Sequence, residues 1–133
     1  MDFSKLTILE GKNWEIKLHH NQNCLGKIVL WFLGEEKNFA DLNKEEQEEF
    51  FDVLKKSRDV LTKLFNPDMF NYACLGNATK HLHFHVIPRY SSSREFEGEE
   101  FVDKAFGSYP LEGENILSED ALVALAEKIK KAF

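Results

Sequence analysis

Two cysteines in 133 residues, Cys24 and Cys74, are too few for a disulfide framework, and a reducing, cytoplasmic setting is expected. Long hydrophobic runs are missing too. None exceeds the six residues of 28–33, far short of the roughly 20 apolar residues of a membrane span. The N-terminus has no basic-then-apolar pattern, so no signal peptide is expected. Positive charge is in deficit, with 17 Lys and Arg against 23 Asp and Glu. The resulting net charge of −6 argues against broad binding to nucleic-acid backbones. A small phosphorylated ligand stays possible, because a local cationic pocket outweighs acidic groups more than a Debye length away. Lys27, Lys80, Arg89 and the histidines are candidates for such a pocket. Repeats, low-complexity tracts and Gly/Pro/Ser linkers are also lacking, so residues 1–133 are expected to form one domain. Hydrophobic content of 43% with twelve phenylalanines suits a well-filled core.

The pattern along the chain predicts an α+β fold built on an antiparallel sheet. Residues 14–18 alternate apolar and polar, as in a half-buried strand. Residues 19–24 are a polar break, and 28–33 read as a central strand covered on both faces, paired in a hairpin with 14–18. Asn43 followed by Glu46 predicts a capping box, and Phe50, Leu54, Leu61, Leu64 and Phe65 form the apolar stripe of one main helix. The acidic run 45–49 favours the helix N-terminus and otherwise reads as a solvated face. Asn66-Pro67-Asp68 stops the helix. Residues 70–75 read as a strand, Gly76-Asn77 as a turn, and 80–87 as a strand whose ladder Pro88 ends. Residues 91–117 look mostly irregular, punctuated by Gly98, Gly107, Pro110 and Gly113. Ser118 caps a C-terminal helix at about 118–133 with Leu122, Leu125, Ile129 and Phe133 on its apolar face.

Chemistry concentrates at His81-Leu82-His83-Phe84-His85, which holds three of the five histidines. In an extended strand the three imidazoles share one face over about 13 Å, while Leu82, Phe84 and Val86 take the other. Such a row suits three uses. It can ligate a metal, although neighbouring same-strand ligands splay apart and no Cys-x-x-Cys, Glu-x-x-His or Asp-rich partner is visible. It can attack phosphorus, with one histidine as nucleophile, a second steadying phosphoryl oxygens or the leaving group and a third orienting the first. It can also bind a ligand without turnover. His19 and His20, adjacent and so expected to face opposite ways, receive no role, and Cys74 reads as a small buried packing residue.

Residues 81–90, His-Leu-His-Phe-His-Val-Ile-Pro-Arg-Tyr, closely resemble the signature of the histidine triad (HIT) family, His-φ-His-φ-His-φ-φ with φ apolar. Residues 25–30 and 41–46 resemble the family's strand and the entry to its main helix. Residues 71–77 resemble the strand and turn before the triad in one branch, and the tail segment 96–103 that of diadenosine polyphosphate hydrolase-like members, so the similarity covers roughly 14–109. The resemblance implies a HIT-like fold and a cytoplasmic nucleotide hydrolase or transferase acting at the α-phosphate of dinucleoside polyphosphates or nucleoside phosphoramidates. It implies His83 as the nucleophile, His85 on the α-phosphate and leaving group, and His81 as an orienting residue. Asn77 and Asn71 match positions near the phosphate and nucleotide. Lys27 stands where many relatives carry histidine, either on phosphate or at the surface; Arg89 is taken as a surface ion pair in preference to a phosphate contact. The ribose contact falls to Asn21, Gln22 or Asn23. No cofactor is required, a divalent metal enters only as a substrate counter-ion, and a homodimer with no nucleic-acid or membrane partner is expected. The alternatives are a non-catalytic nucleotide-binding protein and a metal-dependent histidine site.

Overall fold

The computed structural model describes residues 1–109 and 113–133, so the break expected at Pro110 lies outside the described residues. After a 3-10 turn at Phe3–Leu6, three strands follow: β1 (Thr7–Glu10), β2 (Trp14–Leu18) and β3 (Ile28–Phe32). Helix α1 (Lys44–Phe65) leads to β4 (Met69–Ala73), β5 (His83–Arg89), the short pair β6 (Arg94–Phe96) and β7 (Glu99–Phe101), and α2 (Glu119–Ala132). The main sheet is antiparallel, in the order β1-β2-β3-β5-β4.

Register divides that sheet into two chemically different faces. Trp14 pairs with Phe32, Ile16 with Leu30, and Leu18 with Ile28, which in turn faces Val86. Partners directly opposite share a face, so these residues form one apolar layer, and each is at most 3% exposed. Phe50, Val53, Leu61 and Phe65 of α1 and Leu122, Leu125 and Ile129 of α2 close that layer. The other face carries Lys17, Val29 and His85 in one cross-strand row and Glu15, Trp31 and His83 in the next. Residues 28–32 are therefore covered on only one side. Val29 and Trp31, expected to be buried, are half-buried because they floor the histidine face.

Helix α1 starts as its sequence dictates. The Asn43 side chain accepts from Glu46 N at 2.9 Å and the Glu46 carboxylate accepts from Asn43 N at 2.8 Å, a complete capping box. At the other end Asn66 adopts the left-handed conformation, and the Arg94 guanidinium donates to the carbonyls of Phe65 and Asn66. The acidic run is more than a solvated face. Glu46 is 7% exposed and also pairs with Lys37, while Glu49 accepts from the backbone N–H groups of Asn13 and Trp14 and pins the β1–β2 turn to the helix.

Three further expectations are corrected. Pro88 lies inside β5, opposite Phe70; past Val86 that strand keeps only β4 as a partner, so a missing backbone N–H is tolerated there. Part of 91–117 is ordered as the β6–β7 hairpin, turned by Glu97 (φ 51°) and Gly98 (φ 76°). Phe133 leaves the apolar face of α2 and is 37% exposed.

Candidate functional site

Strand β5 begins at His83, so the three histidines are not one strand row. His81 sits in the bend before it. There its Nε2 lies 2.6 Å from the carbonyl oxygen of Phe32. A carbonyl only accepts, so Nε2 bears the proton and the ring is tied to the end of β3. His83 Nδ1 lies 2.7 Å from the carbonyl oxygen of His81. By the same reasoning Nδ1 carries the proton, and the neutral ring keeps its lone pair on Nε2. His81 thus orients His83 through its backbone oxygen, and its own ring packs elsewhere.

The ring it packs on is Trp31, missed in the sequence because it stands inside an apolar run. Its indole stacks on His81 at 4.8 Å and on His83 at 5.7 Å between centroids. The only sequence clue was its cross-strand position opposite His83, which appears once β3 and β5 are in register. His83 and His85 follow at 5.1 Å, and His85 meets His19 at 5.3 Å. His19 and His20 do not diverge as expected. Strand β2 ends at Leu18, and the two rings stack at 4.8 Å. One groove of about 260 Å³ is lined by His19, His20, Trp31, His83 and His85.

Lys27 is only 4% exposed, which removes the surface placement considered for it. Burial lowers its pKa, and its Nζ has Asn23 Oδ1 at 3.4 Å. Burial, then the charge of Lys27 and the neighbouring His83, pushes His85 down to about 4, and His85 Nδ1 is buried without a hydrogen-bond partner. Burial and the charges of Lys27, His85 and His20 hold His19 down to about 3. Both rings are therefore neutral at pH 7. An unfolded chain, with histidines near 6.5, binds more protons than the native state below that pH. Stability is thus complete above about 6.5 and is lost as pH falls toward the folded values. We expect the urea midpoint to drop between pH 7.5 and 5, and Lys27→Met to flatten that drop. A wild-type midpoint constant over this range would contradict the burial of both rings.

The remaining predicted contacts separate. Asn71 opposes Ile87 on the histidine face, its Oδ1 taken by Arg89 Nη1 at 2.6 Å. Asn77 is exposed in the loop that joins β4 to β5. Asn21 Oδ1 accepts from the N–H groups of Asn23 and Asn115, tying the 19–24 loop to the segment before α2. Gln22 is fully buried, bonded to His19 O, Lys27 O and Gly26 N, and so cannot meet a ribose. Lys80 lies beside His81 and His83 on a second groove. Cys74 is exposed on that same groove, contrary to the packing role expected of it. Arg89 is neither a surface ion pair nor a phosphate ligand: 2% exposed, it donates to both carboxylate oxygens of Asp103 and to the carbonyls of Ala105 and Ser108. It fastens the 103–108 segment beside a third groove, about 480 Å³, that runs from His85 over Asn71, Ala73 and Ile87 to Ser108 and Tyr109. Among the described residues no three or more His, Cys, Asp or Glu side chains are grouped so as to hold a metal ion. No described helix is long and apolar enough to cross a membrane.

Residues 30–92 match the family model described as HIT domain. No curated protein sequence matches the chain significantly. Solved structures are similar in fold. The Caenorhabditis elegans NitFhit protein superposes with a TM-score of 0.73 at 16% identity over 97% of this chain, which spans only 27% of that longer one. A histidine triad protein from Marinobacter aquaeolei gives 0.73 at 18% identity, covering 98% of this chain and 90% of its own. The diadenosine triphosphate hydrolase of Plasmodium falciparum gives 0.65 at 21% identity, covering 96% and 75%. Identities this low carry the fold alone.

Proposed function

We propose, on the premise that residues 30–92 form a histidine triad (HIT) domain, that the chain cleaves nucleotides at the α-phosphate through a nucleotidyl intermediate on His83 Nε2. The observation that carries this reading is the 2.7 Å contact from His83 Nδ1 to the carbonyl oxygen of His81. It fixes the tautomer whose free lone pair is the one exposed for attack. As Nε2 bonds to phosphorus, the bond from phosphorus to the leaving group breaks and its electron pair departs with that group. The ring becomes cationic, and the His81 carbonyl stabilises the Nδ1–H that carries much of the new charge. Water then attacks phosphorus, Nε2 leaves with its electron pair as neutral imidazole, and the water's proton passes to solvent. His85, neutral and adjacent, contacts phosphoryl oxygens and the departing group.

Dinucleoside polyphosphates and nucleoside phosphoramidates are the proposed substrates. Two grooves that meet at His85 support a ligand with a bulky group on each side of the scissile phosphate. Asn71, Asn77, Lys27 and Asn21 are proposed as surrounding contacts. The proposed assembly is a homodimer in the cytoplasm that needs no cofactor. Incubation with a substrate labelled at the α-phosphate, followed by rapid quenching at alkaline pH, is expected to leave acid-labile label on His83, with turnover unaffected by a chelator. Binding without label or product across several dinucleotides and phosphoramidates would favour a non-catalytic nucleotide-binding protein. Loss of activity on chelation would favour the metal-dependent alternative.

A further inference from the structure

His19 enters the groove from the end of β2, outside the triad motif, yet its ring touches His85 at 5.3 Å between centroids. Its hydrogen bonding is one-sided. Asn21 N donates to His19 Nδ1 at 3.0 Å, so that nitrogen holds a lone pair and the proton of the neutral ring is on Nε2. Stacking on His20 at 4.8 Å and 17° fixes the ring plane. With Nδ1 occupied, Nε2–H is what His19 offers to the groove it shares with His83 and His85. The three rings form an arc with steps of 5.1 and 5.3 Å, and the buried Lys27 ammonium adds positive potential to His19 and His85. A group that can only donate, beside a cation, selects an oxygen acceptor that bears negative charge.

We propose that His19 is a fourth substrate-contacting histidine, whose Nε2–H donates to a non-bridging oxygen of the phosphoryl group held between His83 and His85. The contact rests on the nucleotide reading above and adds to it the residue that grips the phosphoryl oxygen on the β2 side. Buried Gln22, bonded to His19 O and Lys27 O, holds those two residues together in the β2–β3 connection.

The test is titration with AMP, read by the fluorescence of Trp31, which lines the groove while Trp14 is fully buried in the core. His19→Phe keeps an aromatic ring to stack on His20 and removes the donor; His19→Gln places an amide N–H near the original Nε2. We expect His19→Phe to raise the Kd for AMP about tenfold, the scale of one charge-assisted hydrogen bond, with adenosine binding unchanged and His19→Gln restoring most of the loss. A native circular dichroism spectrum certifies the variant, and His19→Leu carries the same comparison if the phenylalanine form fails to fold. Equal AMP affinity in wild type and His19→Phe overturns the contact. A loss seen equally with adenosine, and absent with 2′,3′-dideoxy-AMP, assigns the donor to the sugar and overturns the phosphoryl assignment. A wild-type chain that binds no AMP and turns over no nucleotide removes the nucleotide reading itself, and this contact with it.

Discussion

His83→Ala is expected to lower turnover of any α-phosphate substrate by about four orders of magnitude or more, the range seen when a covalent nucleophile is removed. Nucleotide binding should change by only a few-fold, because His85, His19, Lys27 and the groove walls do not depend on the His83 ring. The separation of the two effects is diagnostic. An enzyme in which His83 merely bound phosphate would lose affinity along with rate. The backbone oxygen of His81 loses its partner in the variant, but it lies at a half-buried bend within reach of water, so the fold should hold. Product formation followed by chromatography, beside AMP titration of the same sample, gives both numbers. Activity above a tenth of wild type would exclude His83 as the nucleophile.

The second large effect concerns stability. Arg89 uses all five of its N–H donors: two on Asp103, and one each on Asn71, Ala105 and Ser108. Both members of the ion pair are almost fully enclosed, with side-chain exposures of 2% and 3%. Asp103 also accepts from Tyr90 N. Arg89→Met leaves the carboxylate with only the Tyr90 N–H and strips this donor from the oxygens of Asn71, Ala105 and Ser108, a loss of about 3–5 kcal/mol by analogy with other broken buried pairs. Arg89→Lys should recover little, because one ammonium cannot reproduce a planar fork that spans four residues. The double variant Arg89→Met/Asp103→Leu should recover part of the loss, since no charge is then left unpaired. Urea denaturation of the three variants supplies the comparison. A single Arg89→Met variant within 1 kcal/mol of wild type would refute the clamp.

How far the sequence revealed this molecule differs by scale. The capping box at Asn43, the stop at Asn66, the hairpin of 14–18 with 28–33 and the Ser118 cap all follow from local chemistry within a few residues, and each stands in the structure, the second hairpin strand stopping at Phe32. The β6–β7 hairpin was missed because its strands are three residues long, too short to show an alternation. The site was legible where the motif carries it, at His83 and His85. It was illegible where tertiary pairing carries it. Trp31 looks like any member of an apolar run until β5 is laid beside it, and His19 looks like part of a polar break until its ring meets His85. Arg89 was misplaced for a related reason: its partner Asp103 lies beyond the β6–β7 excursion, out of range of any spacing rule.

The seam between β3 and β5 has a further meaning for how this protein comes into being. Val29 meets His85 and Trp31 meets His83 across a seam that the whole of α1 and β4 must precede. Closing so long a loop costs chain entropy before any contact repays it, and long-range strand pairings of this kind form slowly. Until β5 docks, Val29 and Trp31 have no partner strand on that side, and His19 stays apart from His83 and His85. The candidate site and the native topology therefore arise together. A partly folded chain has no weakened version of the candidate site to offer, because its two halves meet only when β5 pairs with β3.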